Sequence, residues 1–286
     1  KGLDNDAMAV VFDEWNGGEL DSFLIEITAN ILRFRDEDGK PLLDKILDVA
    51  GQKGTGKWSA IAAMDENDPL TLITEAVYAR LLSALYPERI KAASLYSGKL
   101  KVESGKLSDN AQLSTFNFQL SIEDVRQALY AAKLISYAQG FSLLRHASEH
   151  YGWDLDYGTI ARIWRKGCII RSVFLQKITE AYRKDPDLEN LLFDDFFHTK
   201  IQEALPAWRR IVAEGALSGV ALPAMSSALN YFDGLRTPYS AANMIQAQRD
   251  YFGAHTYERT DRERGHFFHT NWTGEGGNTV SGTYSV

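Results

Sequence analysis

Residues Ser121 to Gly152, SIEDVRQALYAAKLISYAQGFSLLRHASEHYG, read as one long helix with both ends marked. The opening Ser121-Ile122-Glu123-Asp124 has the pattern of a capping box, in which a hydroxyl and a carboxylate satisfy amides that the first helical turn leaves free. The helix runs to about Tyr151, and Gly152 ends it because glycine takes the left-handed conformation without strain. Upstream, Leu20, Phe23, Leu24, Ile27, Ile31 and Phe34 recur at helical spacing and stop at the polar turn Asp36-Glu37-Asp38-Gly39. Pro41 opens a second short helix through Leu47, since a proline in the first turn gives up an amide that would have no partner there. Asp68-Pro69 offers an N-cap followed by a first-turn proline. Ile73, Ala76, Val77, Leu81, Ala84 and Leu85 then lie on one face of a helix that includes Arg80. Further helices are predicted near 156–165, 168–183, 187–217 with breaks, 222–233 and 240–252. Strand-like alternation is nearly absent, so the class is all-α.

The connections differ in kind. Ser97 to Gln119 mixes Ser, Gly, Lys and Asn without periodicity and reads as an exposed link. From Gly253 the last 34 residues carry six glycines and no helical stripe. Such a segment cannot bury itself, so it is either disordered or ordered by lying along another surface. This divides the chain into a helical domain, 1–252, and an extended C-terminal tail, 253–286. One internal echo suggests duplicated helices: Trp15-Asn16-Gly17-Gly18 leads to Phe23-Leu24 and Ile27-Thr28, and Trp164-Arg165-Lys166-Gly167 leads to Phe174-Leu175 and Ile178-Thr179.

At 286 residues, 45% hydrophobic and 24% charged, the composition is that of an ordinary soluble globular chain. A net charge of -7 and the lack of any Lys/Arg-rich run argue against nucleic acid as a partner. No stretch approaches the ~20 apolar residues of a membrane span, and the start has no apolar secretory core, so a cytoplasmic location is expected. The chain begins abruptly within helical sequence, as a piece of a longer protein would. The single cysteine, Cys168, excludes an internal disulfide and a thiolate metal cluster, and reads as a small buried apolar residue beside Ile169 and Ile170.

Chemistry is concentrated in two places. Gly51-Gln52-Lys53-Gly54-Thr55-Gly56-Lys57-Trp58 has the composition with which a backbone wraps an anion. It fits the start of a nucleotide-binding phosphate loop, but Trp58 stands where the Mg²⁺-ligating hydroxyl belongs and no strand precedes it. A glycine-rich turn between helices and another kind of anion site both stay open. Arg80, close to an apolar stripe, needs a carboxylate or a ligand anion as partner. The second concentration is Ile245 to His255, with Arg249 at a helix end, where the dipole favours a cation, and His255 just past Gly253. His146 and His150 have i, i+4 spacing but no third ligand, so they read as structural and no metal site is expected. There is no Ser/His/Asp arrangement, no G-x-S-x-G turn and no G-x-G-x-x-G fingerprint.

The glycine-rich stretch, Trp164 to Arg171 (WRKGCIIR), Ile245 to Tyr257 (IQAQRDYFGAHTY), Leu20 to Thr28 (LDSFLIEIT), Ser136 to Phe141 (SYAQGF) and the tail His269-Thr270-Asn271-Trp272 together resemble the 6-phosphogluconate dehydrogenase family, essentially from end to end. The resemblance implies NADP-dependent oxidation of 6-phosphogluconate to ribulose 5-phosphate and CO₂ in the oxidative pentose phosphate pathway. It implies that Lys53, Thr55 and Arg80 hold the substrate phosphate, with Lys57 peripheral. Arg249 and His255 would reach substrate in the neighbouring subunit of a homodimer, brought there by the tail. A lysine, two arginines and a hydroxyl suit a phosphate dianion.

The family's helical domain is built from a duplicated helix set, in keeping with the tryptophan echo. Its NADP-binding Rossmann domain and the helix bearing its lysine base and glutamate acid lie upstream of where this chain starts. No catalytic residue is therefore expected within it, and no dehydrogenase activity from this polypeptide alone. The competing expectation is a helical dimerisation module that keeps the fold without catalysis.

Overall fold

The computed structural model describes residues 2–96 and 120–274, so the link expected at Ser97 to Gln119 lies outside the described residues. The chain forms two compact units, 1–231 and 232–286. In the first are α1 (Asn5–Asn16), α2 (Phe23–Arg33), α3 (Thr55–Asp65), α4 (Thr71–Ala84), α5 (Tyr86–Tyr96), α6 (Ile122–Tyr151), α7 (Tyr157–Ile163), α8 (Leu175–Lys184) and α9 (Asp195–Ser218). Next come α10 (Pro223–Leu235), which carries the boundary, α11 (Ala242–Gly253), and a hairpin of β1 (Tyr257–Glu258) and β2 (Phe267–Phe268). The fold is predominantly helical, as the sequence predicts.

The central helix is α6, and its capping box is complete. The Asp124 amide donates to Ser121 Oγ at 3.0 Å, and the Ser121 amide donates to Asp124 Oδ2 at 2.7 Å. The Ser121 amide and the Arg210 guanidinium hold the Asp124 carboxyl down to about 2. Ala128, Ala131, Leu134, Ile135, Ala138 and Phe141 of α6 are buried, and α9 packs against them through Phe197, Ile201, Ala204, Ala207 and Trp208. Trp208, fully enclosed, donates its indole N–H to the Met225 carbonyl at 3.1 Å.

The two halves of the tryptophan echo meet. Helices α1 and α2 pack as one hairpin and α7 and α8 as another, and an antiparallel bridge joins Ser22 to Ser172. The Val173 amide donates to the Asp21 carbonyl at 3.1 Å, and the Phe23 amide to the Arg171 carbonyl at 3.4 Å.

Several local expectations change. The bridge holds the backbone around residue 172 extended, so the helix predicted at 168–183 begins only at Leu175. Ile169 is exposed and Cys168 half-buried, not enclosed, because this run forms a surface turn. Between Pro41 and Leu47 only a 3-10 turn forms, Leu42–Lys45. Asp68 caps nothing: it is buried and bonded to α6, and α4 begins at Thr71. In α2 the core-facing residues are Ile25, Ala29 and Leu32, whereas Leu24, Ile31 and Phe34 of the expected stripe point outward at about half exposure. Val77 is the one buried residue of α4. In the described part of the tail Tyr257 pairs with Phe268 and Glu258 with Phe267.

Candidate functional site

In the glycine-rich stretch the chain changes from loop to helix at one residue. Gly54 has φ +106°, a conformation closed to side-chain-bearing residues at low energy, and it is the N-cap of α3. The first helical amide taken up internally is that of Trp58, which donates to the Gly54 carbonyl at 2.8 Å. The first turn, Thr55-Gly56-Lys57, therefore presents amides outward, where a helix N-terminus favours an anion. Trp58, at the position a nucleotide loop would give to a hydroxyl, lies over Gly54. Gly56 lets α3 approach α4 closely, for a Cβ there would stand 2.9 Å from Val77 Cγ2.

That approach brings Arg80 to the stretch. Its guanidinium donates to the Gly51 carbonyl, and the Ala50 amide donates to Ser83 Oγ at 2.9 Å, so one turn of α4 grips the loop at two points. Arg80 is exposed, as are Lys53, Thr55 and Lys57. Among the described residues neither Lys53 nor Lys57 has an ion pair. Two uncommitted lysines, an anchored arginine and a helix N-terminus make this region able to receive an anion with several charges.

The second unit brings Arg249 and His255 together through a residue that the sequence reading passed over. Gln246 Oε1 accepts from Arg249 at 2.9 Å, while Gln246 Nε2 donates to the Thr256 carbonyl at 2.6 Å and the His255 carbonyl at 3.3 Å. The His255 ring lies over Gly253, where a Cβ would come within 2.7 Å of its Nε2. Also missed was Asp250, which has no exposed surface and accepts from His269 Nδ1, the Thr270 amide and Trp272 Nε1 at 2.9, 3.0 and 2.9 Å. Burial alone would raise its pKa, but these three donors outweigh it and the carboxyl is held below its ordinary range. Its position on α11, one residue after Arg249, was a legible signal: an acid inside a motif otherwise read for its cations.

His146 and His150 pair with Asp68 and Glu66 at 2.8 Å each, in agreement with structural roles. No cluster of three His, Cys, Asp or Glu able to hold a metal occurs among the described residues, and no helix there is long and apolar enough to cross a membrane. The first unit also has an apolar cavity of about 770 Å³ lined by Leu24, Ile73, Leu129, Phe141, Trp164 and Ile170 among others. Lys133 borders it. Its buried Nζ has no hydrogen-bond partner and sits 5.3 Å from the Phe174 ring centroid, and burial pushes it down to about 8.

Comparison with known proteins supplies what geometry leaves open. A family model described as the 6-phosphogluconate dehydrogenase C-terminal domain matches residues 1–272. Decarboxylating 6-phosphogluconate dehydrogenases of Cunninghamella elegans and Homo sapiens are 55% and 53% identical over 285 residues, covering 100% of this chain and 56% and 57% of those proteins. Among solved structures, the Plasmodium falciparum 6-phosphogluconate dehydrogenase matches at 43% identity with a TM-score of 0.84, over 94% of this chain and 56% of that one. That enzyme is described in its apo form and in complexes with its cofactor NADP⁺ and its substrate 6-phosphogluconate.

These matches put the helical fold in the class of dehydrogenase domains. The chain belongs to the 6-phosphogluconate dehydrogenase family, and within it corresponds to the C-terminal domain. It spans just over half the length of the curated relatives it matches. Among the described residues the strands are two residues long, and the sequence has no G-x-G-x-x-G turn.

Proposed function

We propose that this chain is the substrate-binding and dimer-forming part of an NADP-dependent, decarboxylating 6-phosphogluconate dehydrogenase, which converts 6-phosphogluconate to ribulose 5-phosphate and CO₂. Lys53, Thr55 and Arg80 hold the substrate phosphate. The observation that carries this reading is the Arg80 guanidinium on the Gly51 carbonyl, which sets a fixed charge beside the open N-terminus of α3. Thr55 is the first residue of that helix, and its hydroxyl and amide serve the same anion.

Arg249 and His255, held in register by Gln246, complete the site from the partner subunit of a homodimer, with the tail, 253–286, as the exchanged element. NADP is held mainly by residues of the enzyme outside this chain, which alone turns over no substrate. One cysteine and no disulfide suit the reducing cytosol.

The test is kinetic, in full-length enzyme carrying this sequence. Lys53→Ala or Arg80→Ala should each raise KM for 6-phosphogluconate about 30-fold, the equivalent of ~2 kcal/mol for one charged contact. An unchanged KM removes that residue from the phosphate site. Deleting 253–286 should lower the dimer fraction in sedimentation; a full dimer population would show that the helices alone hold the pair together.

A further inference from the structure

One face of α6 carries Gln139, Ser142, His146 and His150, spaced three, four and four residues apart so that they stack along the helix. Each reaches into the elbow between α3 and α4. Gln139, with no exposed surface, accepts from the Leu72 amide at 3.1 Å and donates to the Thr71 hydroxyl at 2.8 Å. Ser142 Oγ donates to Asp68 Oδ2 at 2.7 Å, and the same oxygen accepts from His146 Nδ1 at 2.8 Å. Arg145 donates to His146 Nε2 at 3.0 Å, which places the ring proton on Nδ1. His150 meets Glu66. As the α6 positions ascend, their partners descend from 72 to 66, so the elbow lies antiparallel along the stripe and is fastened at each turn.

This elbow is the pivot of the phosphate hairpin. From it α3 leads back to Thr55 and the Gly51 loop, and α4 leads out to Arg80, nine residues past Thr71 and therefore about 14 Å along the axis. A tilt of about 10° at the elbow would move that end by roughly 2 Å, more than a hydrogen bond tolerates. A leucine could fill the Gln139 position without desolvating an amide, but it would not fix the direction of the α4 amides that Gln139 grips.

We infer that Gln139 and the Asp68–His146 pair are positioning residues for the substrate phosphate, setting the angle at which α4 delivers Arg80 to the glycine-rich loop. This rests on the phosphate-site reading above. The residues act through Arg80 and touch no substrate themselves.

Steady-state kinetics of the full-length enzyme test it. Gln139→Leu should raise KM for 6-phosphogluconate about tenfold while kcat and the KM for NADP stay within about twofold. Thr71→Val, which removes one bond only, should give about a threefold rise. His146→Leu should match Gln139→Leu, and His146→Asn, whose amide nitrogen occupies the Nδ1 position, should restore most of the loss. Because Gln139 acts through Arg80, combining Gln139→Leu with Arg80→Ala should add little to Arg80→Ala alone.

A raised KM in Arg80→Ala with an unchanged KM in Gln139→Leu overturns the positioning role and leaves the phosphate site standing. An unchanged KM in Arg80→Ala overturns the site itself. A joint fall in kcat and in affinity for both substrates shows a plain structural role and also overturns the inference. Should Gln139→Leu fail to fold, Thr71→Val and His146→Leu are judged on the same readouts.

Discussion

His269 Nδ1 lies 2.9 Å from Oδ1 of Asp250, a carboxylate with no exposed surface that fastens the tail to its own helix. With the Thr270 amide and the Trp272 indole it forms three bonds to one side chain, so the described tail is ordered within its own unit. Asp250→Ala should leave those donors unmatched and cost on the order of 3 kcal/mol of local stability. Amide hydrogen exchange across 256–272 should then speed up, while exchange in α6 stays unchanged. The Asp250 pKa is depressed on folding, so its contribution is full above the ordinary value of 3.8 and fades as pH falls through the lower folded value. The tail should therefore loosen in acid, below about pH 4, before the protein as a whole unfolds.

Gly56 and Val77 set the spacing of the α3–α4 hairpin. Gly56→Ala should force α3 and α4 apart and cost about 1–3 kcal/mol by overpacking. The double variant Gly56→Ala/Val77→Ala should recover part of the lost melting temperature and of the raised KM. No recovery would mean that Gly56 is needed for another reason.

Lys133 works against the fold near neutral pH. Its folded pKa of about 8 lies below the ordinary 10.5, so between those values the unfolded chain holds more protons than the folded one. Stability should thus rise as pH climbs from 8 to 10.5, and below pH 8 the charged amine costs on the order of 3 kcal/mol. Lys133→Met, similar in length and apolar, should stabilise the protein by about 1–3 kcal/mol at pH 7 in urea unfolding and flatten that alkaline rise.

Gln246 joins Arg249 to the His255 backbone. Gln246→Leu in the full-length enzyme should raise KM for 6-phosphogluconate about tenfold through loss of register between the two, with thermal stability lowered by no more than about 1 kcal/mol.

Features set by neighbours in the chain were legible in the sequence. The capping box of α6 depends on residues three apart, and Gly54 and Gly152 do in the structure what glycine's backbone freedom suggests. Features set from a distance were not. Asp68-Pro69 has the local look of a helix start, but Ser142 and His146, 74 and 78 residues away, take its carboxylate. The run from Cys168 to Phe174 is apolar enough to read as helix, yet Asp21 and Phe23 hold it in a bridge. The tail lacks a stripe because one buried carboxylate, not an apolar face, organises it. At the candidate site the cations were evident by type, whereas the carbonyl that anchors Arg80 and the amide that couples Arg249 to His255 leave no pattern in composition.

The bridge between Ser22 and Ser172 has a consequence for the order of folding. Its partners are 150 residues apart (172 − 22), whereas the α1–α2 and α7–α8 hairpins close over connections of six (17–22) and eleven (164–174) residues. Contacts this far apart in sequence are slow to form, so the bridge follows both hairpins. On a ribosome adding about 5–20 residues per second, the first hairpin waits roughly 8–30 s for its counterpart to be made. Through that interval the Phe23 amide and the Asp21 carbonyl, which Arg171 and Val173 partner in the folded chain, stand open on a nascent chain, and this is when a chaperone that shields unpaired backbone would matter most.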